Sequence, residues 1–155
     1  MVSIEKLNQT HLNRLANVTL ASEQLKFACS AKEFIQEANP AVHLHVIKQH
    51  DEIIGFFKLD THYSKHYDFC PTDGLGLRSF VIDEKQQGNG LGKQAIAALL
   101  KYLTQYYGDY NWLYLTVNCK NAIAQRCYQK SGFTEAESLY LGGPVGPQHI
   151  MYKAL

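Results

Sequence analysis

The chain has 155 residues, 46% apolar and 19% charged, with a formal net charge of +1. That length suits one domain, residues 1–155, burying about 70% of its unfolded surface, and the absence of charge blocks, repeats or Pro/Gly/Ser tracts excludes a disordered or solenoid chain. A nearly neutral chain lacks the broad basic surface that holds nucleic acid; with no signal-like start and no run of ~20 apolar residues, the expectation is a cytoplasmic protein without membrane or nucleic-acid partners.

Val2 to Leu7 can begin a strand, and His11 to Leu20 and Ala31 to Ala38 read as helices, the second opened by the Ser30-x-x-Glu33 capping pattern. Ala41 to Gln49 and Ile53 to Leu59 form a hairpin around His50-Asp51-Glu52, with His43 and His45 alternating onto a solvent or groove face. Residues 60–73 make a connection long for a hairpin and are expected to wall a binding site. His62 and His66 have helical spacing there but lack the Glu of a zinc motif, and Cys29, Cys70, Cys119 and Cys127 form no C-x-x-C pair, so no metal is expected.

Leu77 to Ile82 is a strand, and Leu91 to Tyr106 a long helix with Ile96, Leu99, Leu100, Leu103 and Tyr107 along one face. A strand from Trp112 to Val117, a helix from Ala122 to Ser131 and strands Thr134 to Leu141 and His149 to Lys153 complete the order β-α-α-β-β-β-α-β-α-β-β, of class α/β (α+β). The helix from Ala122 is bracketed by Asn121 as N-cap and Gly132 as a left-handed terminator, with Phe133 folding back on Cys127 or Tyr128. Asn121, Ala124 and Tyr128 share one edge of it, a narrow polar groove with a small floor.

Between the strand ending at Ile82 and the long helix lies Gln87-Gly88-Asn89-Gly90-Leu91-Gly92, followed by Lys93. Glycines let backbone N–H groups close on an anion, and a helix start adds about half a positive charge, so a pyrophosphate-bearing ligand is implied. A dinucleotide fold would place G-x-G-x-x-G at the first strand–helix junction, and a P-loop would follow its Lys with Ser or Thr where this chain has Gln94.

The Gln-x-x-Gly-x-Gly pattern instead resembles motif A of the GNAT superfamily of acetyl-CoA-dependent N-acetyltransferases. About thirty residues on, Asn118, Asn121, Ala124, Tyr128, Lys130, Gly132 and Phe133 stand in register with that family's N-x-x-N-x-x-A-x-x-x-Y-x-K-x-G-F segment. The resemblance implies a mixed, mostly antiparallel sheet flanked by helices, with acetyl-CoA as co-substrate and a small amine such as a polyamine, or a peptide or protein amine, as acceptor. A homodimer is left open.

The same resemblance implies direct attack of the amine on the thioester in a ternary complex. Gln87, Gly88, Asn89, Gly90, Leu91, Gly92 and Lys93 would hold the pyrophosphate, Phe80, Val81 and Ile82 the pantetheine, with an N–H near Val81 polarising the carbonyl; Asn118, Asn121 and Tyr128 would complete the cofactor site. Tyr128 is the candidate general acid for the thiolate. Cys127 beside it is expected to be a packed thiol, with an acyl-accepting role as the alternative.

An amine of pKa near 10.4 lies about 4.6 kcal/mol from its neutral form at pH 7, so a base is wanted. Many family members carry Glu on the strand before the loop, whereas 74–82 hold no carboxylate and contain Arg78. Asp73, Tyr63, His149, a water chain, or an amine arriving neutral remain open, with Glu23, Asp60 and Asp73 able to suit a polyamine and the 142–149 loop bordering the acceptor. The alternative class is a non-catalytic acyl-CoA-sensing module of the same fold.

Overall fold

A computed structural model of the chain describes residues 1–15, 18–19, 30–37, 39–88 and 90–155. Glu23, Cys29, Asn89 and the far ends of the first two expected helices, Leu20 and Ala38, lie outside the described residues. Seven strands form one sheet: β1 Val2–Lys6, β2 Val42–Gln49, β3 Glu52–Asp60, β4 Gly74–Ile82, β5 Trp112–Asn118, β6 Thr134–Tyr140 and β7 Gln148–Ala154. Their order is β1-β2-β3-β4-β5-β7-β6, and β4–β5 is the parallel pair among antiparallel neighbours.

The helices are α1 Leu12–Leu15, α2 Ala31–Gln36, α3 Tyr63–His66, α4 Leu91–Tyr106 and α5 Ala122–Lys130. Helix α4 runs over the bounds its apolar stripe predicts, and Ala95, Ile96, Leu99 and Leu103 on that stripe are wholly buried against Leu75, Leu77, Leu113 and Leu115 of the sheet. A second core covers the other face, where Leu15 and Phe34 meet Val46, Phe56 and Val81, with Phe34 and Phe56 ring centroids 4.3 Å apart. The period-2 alternation of β5 sends Leu113, Leu115 and Val117 to the α4 side and Trp112, Tyr114 and Thr116 to the other.

The β2–β3 hairpin closes on His50 and Asp51, both with positive φ (51° and 64°), as the tight turn of a two-residue hairpin demands. Ser30 accepts from the Glu33 N–H at 3.3 Å and donates to its carboxylate at 3.0 Å, which fixes the start of α2. Of the two strand histidines, His43 is half-exposed and borders a shallow groove, whereas His45 departs from expectation. His45 is fully buried on the α4 face, stacked on Phe57 and 3.0 Å from the Tyr102 hydroxyl, while His43 lies 2.7 Å from the Tyr107 hydroxyl. Tyr102 of α4 and Tyr107 just past its end bond the imidazoles, and burial pushes the His45 pKa down to about 4, which keeps the ring neutral inside the core.

Strands β4 and β5 pair at Gly74–Trp112, Leu75–Leu113 and Gly76–Tyr114, and beyond that no strand among the described residues pairs with this side of β4. Nearby, β4 bulges: Phe56 faces Val81 and Lys58 faces Arg78, so one β3 residue opposes two on β4, and Ser79 takes a φ of 53°. Bulges bend the strand that carries them and re-aim its side chains. Tyr63 of α3 lies against Gly76 and Cys70 against Gly74, each where a Cβ would collide, so the loop after β3 packs on a glycine floor at the base of the wedge.

Candidate active site

The wedge is a cleft of about 840 Å³, open at its mouth and walled on one side by 77–82 of β4, on the other by 115–118 of β5. One end receives the glycine loop and the start of α4. Gly88 and Gly90 have φ of 84° and 74°, and a Cβ on either would meet nothing within 4 Å. Their role is therefore conformational, with open space in front of the loop for a ligand to approach the backbone.

Gly90 is the N-cap of α4; no side chain caps the helix, and no acid lies in its first turn. Gly90, Leu91, Gly92 and Lys93 line the cleft, so the positive end of the dipole of a sixteen-residue helix lies at its wall. Lys93, Arg126 and Lys130 also line this wall. Sequence reasoning assigns neither of the last two a place in the site, although their i,i+4 spacing on α5 marks them as one basic stripe. The Gln87 side chain reaches back and donates to the Ile82 carbonyl at 2.8 Å, tying the loop to the end of β4. Gly92 serves a different purpose from its neighbours: its missing Cβ would stand 3.2 Å from Cys127 Sγ, so it lets α4 and α5 approach.

Phe80, Val81 and Ile82 all line the cleft, but their main chains do not all face it. The Val81 carbonyl oxygen lies against Gly55 of β3, and Val81 is in register with Phe56. In an extended strand the N–H and C=O of one residue share a side and alternate along the chain. By that alternation the polar backbone groups of Ile82, whose carbonyl accepts from Gln87, and of Phe80 fall on the side away from β3.

Helix α5 ends as its sequence dictates. Gly132 has a φ of 92° and donates to Gln129 O at 3.1 Å, while Phe133 donates to Tyr128 O at 3.1 Å, the paired bonds of a Schellman stop. This folds Phe133 onto Tyr128, ring centroids 5.4 Å apart, with Phe80 on the other flank at 6.2 Å. Tyr128 is buried at the cleft wall, and burial, with the Cys127 thiol beside it, pushes its phenol well above the usual range. It is a group that keeps its proton. Burial also raises the Cys127 thiol against the pull of Lys130 and Lys93, which opposes the thiolate an acyl-accepting nucleophile needs.

Asn121 caps α5 by accepting from the Ala124 N–H at 3.4 Å. Asn118 uses both ends of its amide, donating to Val145 O at 3.3 Å and accepting from the Lys120 N–H at 2.9 Å, so it anchors the 142–147 loop to the end of β5. Pro144, Val145 and Gln148 of that region line the opposite end of the cleft together with Glu33, Tyr63, Tyr67, Arg78 and Thr116.

Of the side chains considered as bases, only Tyr63 lines the cleft. It is bonded to Thr116 and its phenol is raised by burial, so it does not accept a proton near neutrality. Asp73 instead takes a bond of 2.8 Å from Asn111, and His149 lies 3.0 Å from Glu135 of β6. Among the described residues, no three His, Cys, Asp or Glu side chains converge on a metal-sized site.

A split parallel strand pair, an uncapped helix start after a glycine loop and a buried tyrosine on the facing helix define a recognisable assembly. The family model described as Acetyltransferase (GNAT) family matches residues 12–133, well over half of the chain. The chain belongs to the GNAT acetyltransferase family. It is thus of the acyl-CoA-dependent acetyltransferase class, with acetyl-CoA as co-substrate. Relatives include the uncharacterized N-acetyltransferase YbbJ of Bacillus subtilis (strain 168), 29% identical over 99% of this chain and 98% of its own length. The spermine/spermidine N(1)-acetyltransferase of the same organism is 27% identical over 99% of both chains.

Among solved structures, aminoglycoside acetyltransferase AAC(6')-Ib in complex with ribostamycin and coenzyme A superposes with a TM-score of 0.78 at 19% identity, covering 99% of this chain and 93% of that one. Spermidine N-acetyltransferase from Vibrio cholerae in complex with CoA and spermine gives 0.71 at 18%, covering 99% and 95%. These likenesses establish the fold.

Proposed function

We propose that the chain transfers the acetyl group of acetyl-CoA to an amine by direct attack in a ternary complex, the observation carrying this being the β4–β5 cleft with the glycine loop at one end and Tyr128 in its wall. The N–H groups of Gln87 to Lys93 bind the pyrophosphate, Asn89 within that loop among them, and the basic pair Arg126 and Lys130 adds charge. The open side of β4 pairs with the pantetheine amides as an added strand would. Asn118 and Asn121 shape this wall by holding the 142–147 loop and the start of α5.

The acceptor nitrogen attacks the thioester carbonyl carbon, and the developing oxyanion meets the Phe80 N–H, a preorganised donor worth several kcal/mol. As the C–S bond breaks, Tyr128 gives its proton to the leaving thiolate and recovers one from water. A phenol ordinarily near 10 and a thiol near 8.5 make this mildly uphill in water; the same dry wall that raises the phenol raises the thiol, so the gap does not widen. The amine proton leaves through the cleft mouth by water, since none of the side-chain bases considered from sequence is placed to take it.

A thiol-release assay with acetyl-CoA and a panel of small amines and short peptides tests this. Amine-dependent release of CoA is the expected outcome. Acetyl-CoA binding with no release to any amine overturns transfer and leaves a sensing module.

A further inference from the structure

Two charge pairs stand side by side at the acceptor end, Lys58 of β3 with Glu37 just past α2 and Arg78 of β4 with Asp60 of β3, and of the four Arg78 lines the cleft. Lys58 and Arg78 are register partners across the strands. Lys58 is buried and ion-paired with Glu37. Arg78 faces Asp60 at 3.3 Å, and its side chain is 39% exposed where Asp60 is 4%. Asp60 has both oxygens engaged, one accepting the His62 N–H at 2.9 Å and the other facing Arg78. The carboxylate is sealed behind the strand.

The guanidinium is not sealed. Arg78 lines the cleft and spends one long contact on Asp60, while a guanidinium carries five N–H donors in a planar fork suited to a carboxylate. Among the described residues lining the cleft, Glu33 is the lone carboxylate, one of its oxygens accepting from Ser30; with Lys93, Arg126 and Lys130 at the loop end, Arg78 is the cation of the acceptor end. The other wall groups beside Arg78 are the rings of Tyr63 and Tyr67, with Thr116 across the cleft. A polyamine would bring its second ammonium against Arg78, where Glu33 is the one carboxylate among the described lining residues. That sets the site apart from what the name of the spermine/spermidine relative suggests.

Building on the transfer reading above, we infer that the acceptor amine also carries an anionic group, in its simplest form a carboxylate, which Arg78 binds through its cleft-facing donors. An amino acid or a peptide supplies that anion, and a polyamine supplies none.

The test compares ω-amino acids with α,ω-diamines over a ladder of equal chain lengths, using the whole chain and acetyl-CoA in a thiol-release assay. These pairs differ only in the sign of the far charge. The expected result is a kcat/KM for the best amino acid about tenfold or more above its matched diamine. Arg78→Gln should bring that ratio to about one by raising the amino-acid KM, with acetyl-CoA affinity retained; Arg78→Lys should restore part of it. Asp60→Asn, which releases Arg78 from its partner, should keep the preference. A diamine preferred at every length, or a ratio unmoved in Arg78→Gln, overturns the inference.

Calorimetry on the CoA-loaded protein separates the two readings if no amine is acetylated. N-acetylated ω-amino acids that bind more tightly than monoacetylated diamines, with Arg78 required, sustain the anionic subsite while transfer fails. Equal binding, or none, overturns it.

Discussion

The two ends of the cleft are made of different material. At the loop end the working groups belong to the main chain: Gly88 and Gly90 at positive φ, an uncapped start to α4, and the unpaired side of β4. At the acceptor end they are side chains delivered by separate elements, Glu33 from α2, Tyr63 and Tyr67 from the β3–β4 connection, Arg78 from β4, Thr116 from β5 and Pro144 from the β6–β7 loop. A backbone site holds one ligand class whatever its side chains are. A site assembled from side chains can change its ligand with single substitutions.

Tyr128 stands between the two ends and gives the strongest test of their separation. Tyr128→Phe should lower kcat by roughly 10²–10⁴ while leaving acetyl-CoA affinity within about twofold, because the ring still packs between Phe80 and Phe133. Steady-state kinetics beside calorimetry read both quantities. Undiminished turnover, with chemistry rate-limiting, removes the acid role.

Gly90→Val addresses the loop end alone. A β-branched residue at a φ of 74° is strained even though space is open, and the side chain would occupy the approach to the loop. We expect acetyl-CoA affinity to fall by about 100-fold, near 2.7 kcal/mol, with cooperative unfolding preserved. Full affinity would show that the ligand does not lie on this loop.

At the other end, Tyr67→Ala should raise the acceptor KM by about tenfold with acetyl-CoA affinity unchanged. A loss of cofactor binding instead would mean the ends are one site energetically.

The smallest effect is in the pH profile. Burial raises the Tyr128 phenol, so its protonated form persists beyond the ordinary tyrosine range near 10. The acceptor amine becomes reactive as pH rises, so kcat/KM should climb through the alkaline range without a descending limb below about pH 10. A decline at pH 8–9 that vanishes in Tyr128→Phe would contradict the shift.

Local rules in the chain itself carried the loop end and much of the architecture. Gln87 to Lys93, the stripe of α4, the Asn121 cap and the Gly132–Phe133 stop are contiguous patterns whose meaning depends on neighbours within a few residues. The order of the elements could be read for the same reason, except α3, a single turn within the connection read as a loop. Tertiary structure alone decided what depends on register and on pairs distant in sequence. It placed His45 under Tyr102 instead of on a groove, turned Val81 toward β3 and Phe80 toward the cleft, and drew Asp73 and His149 to Asn111 and Glu135, away from the site. Arg78 could be named from the sequence, but its pairing with Asp60, eighteen positions away, and its open face toward the cleft arise only when β3 and β4 lie side by side. A strand's side chains alternate strictly, and a single bulged residue reassigns every face beyond it.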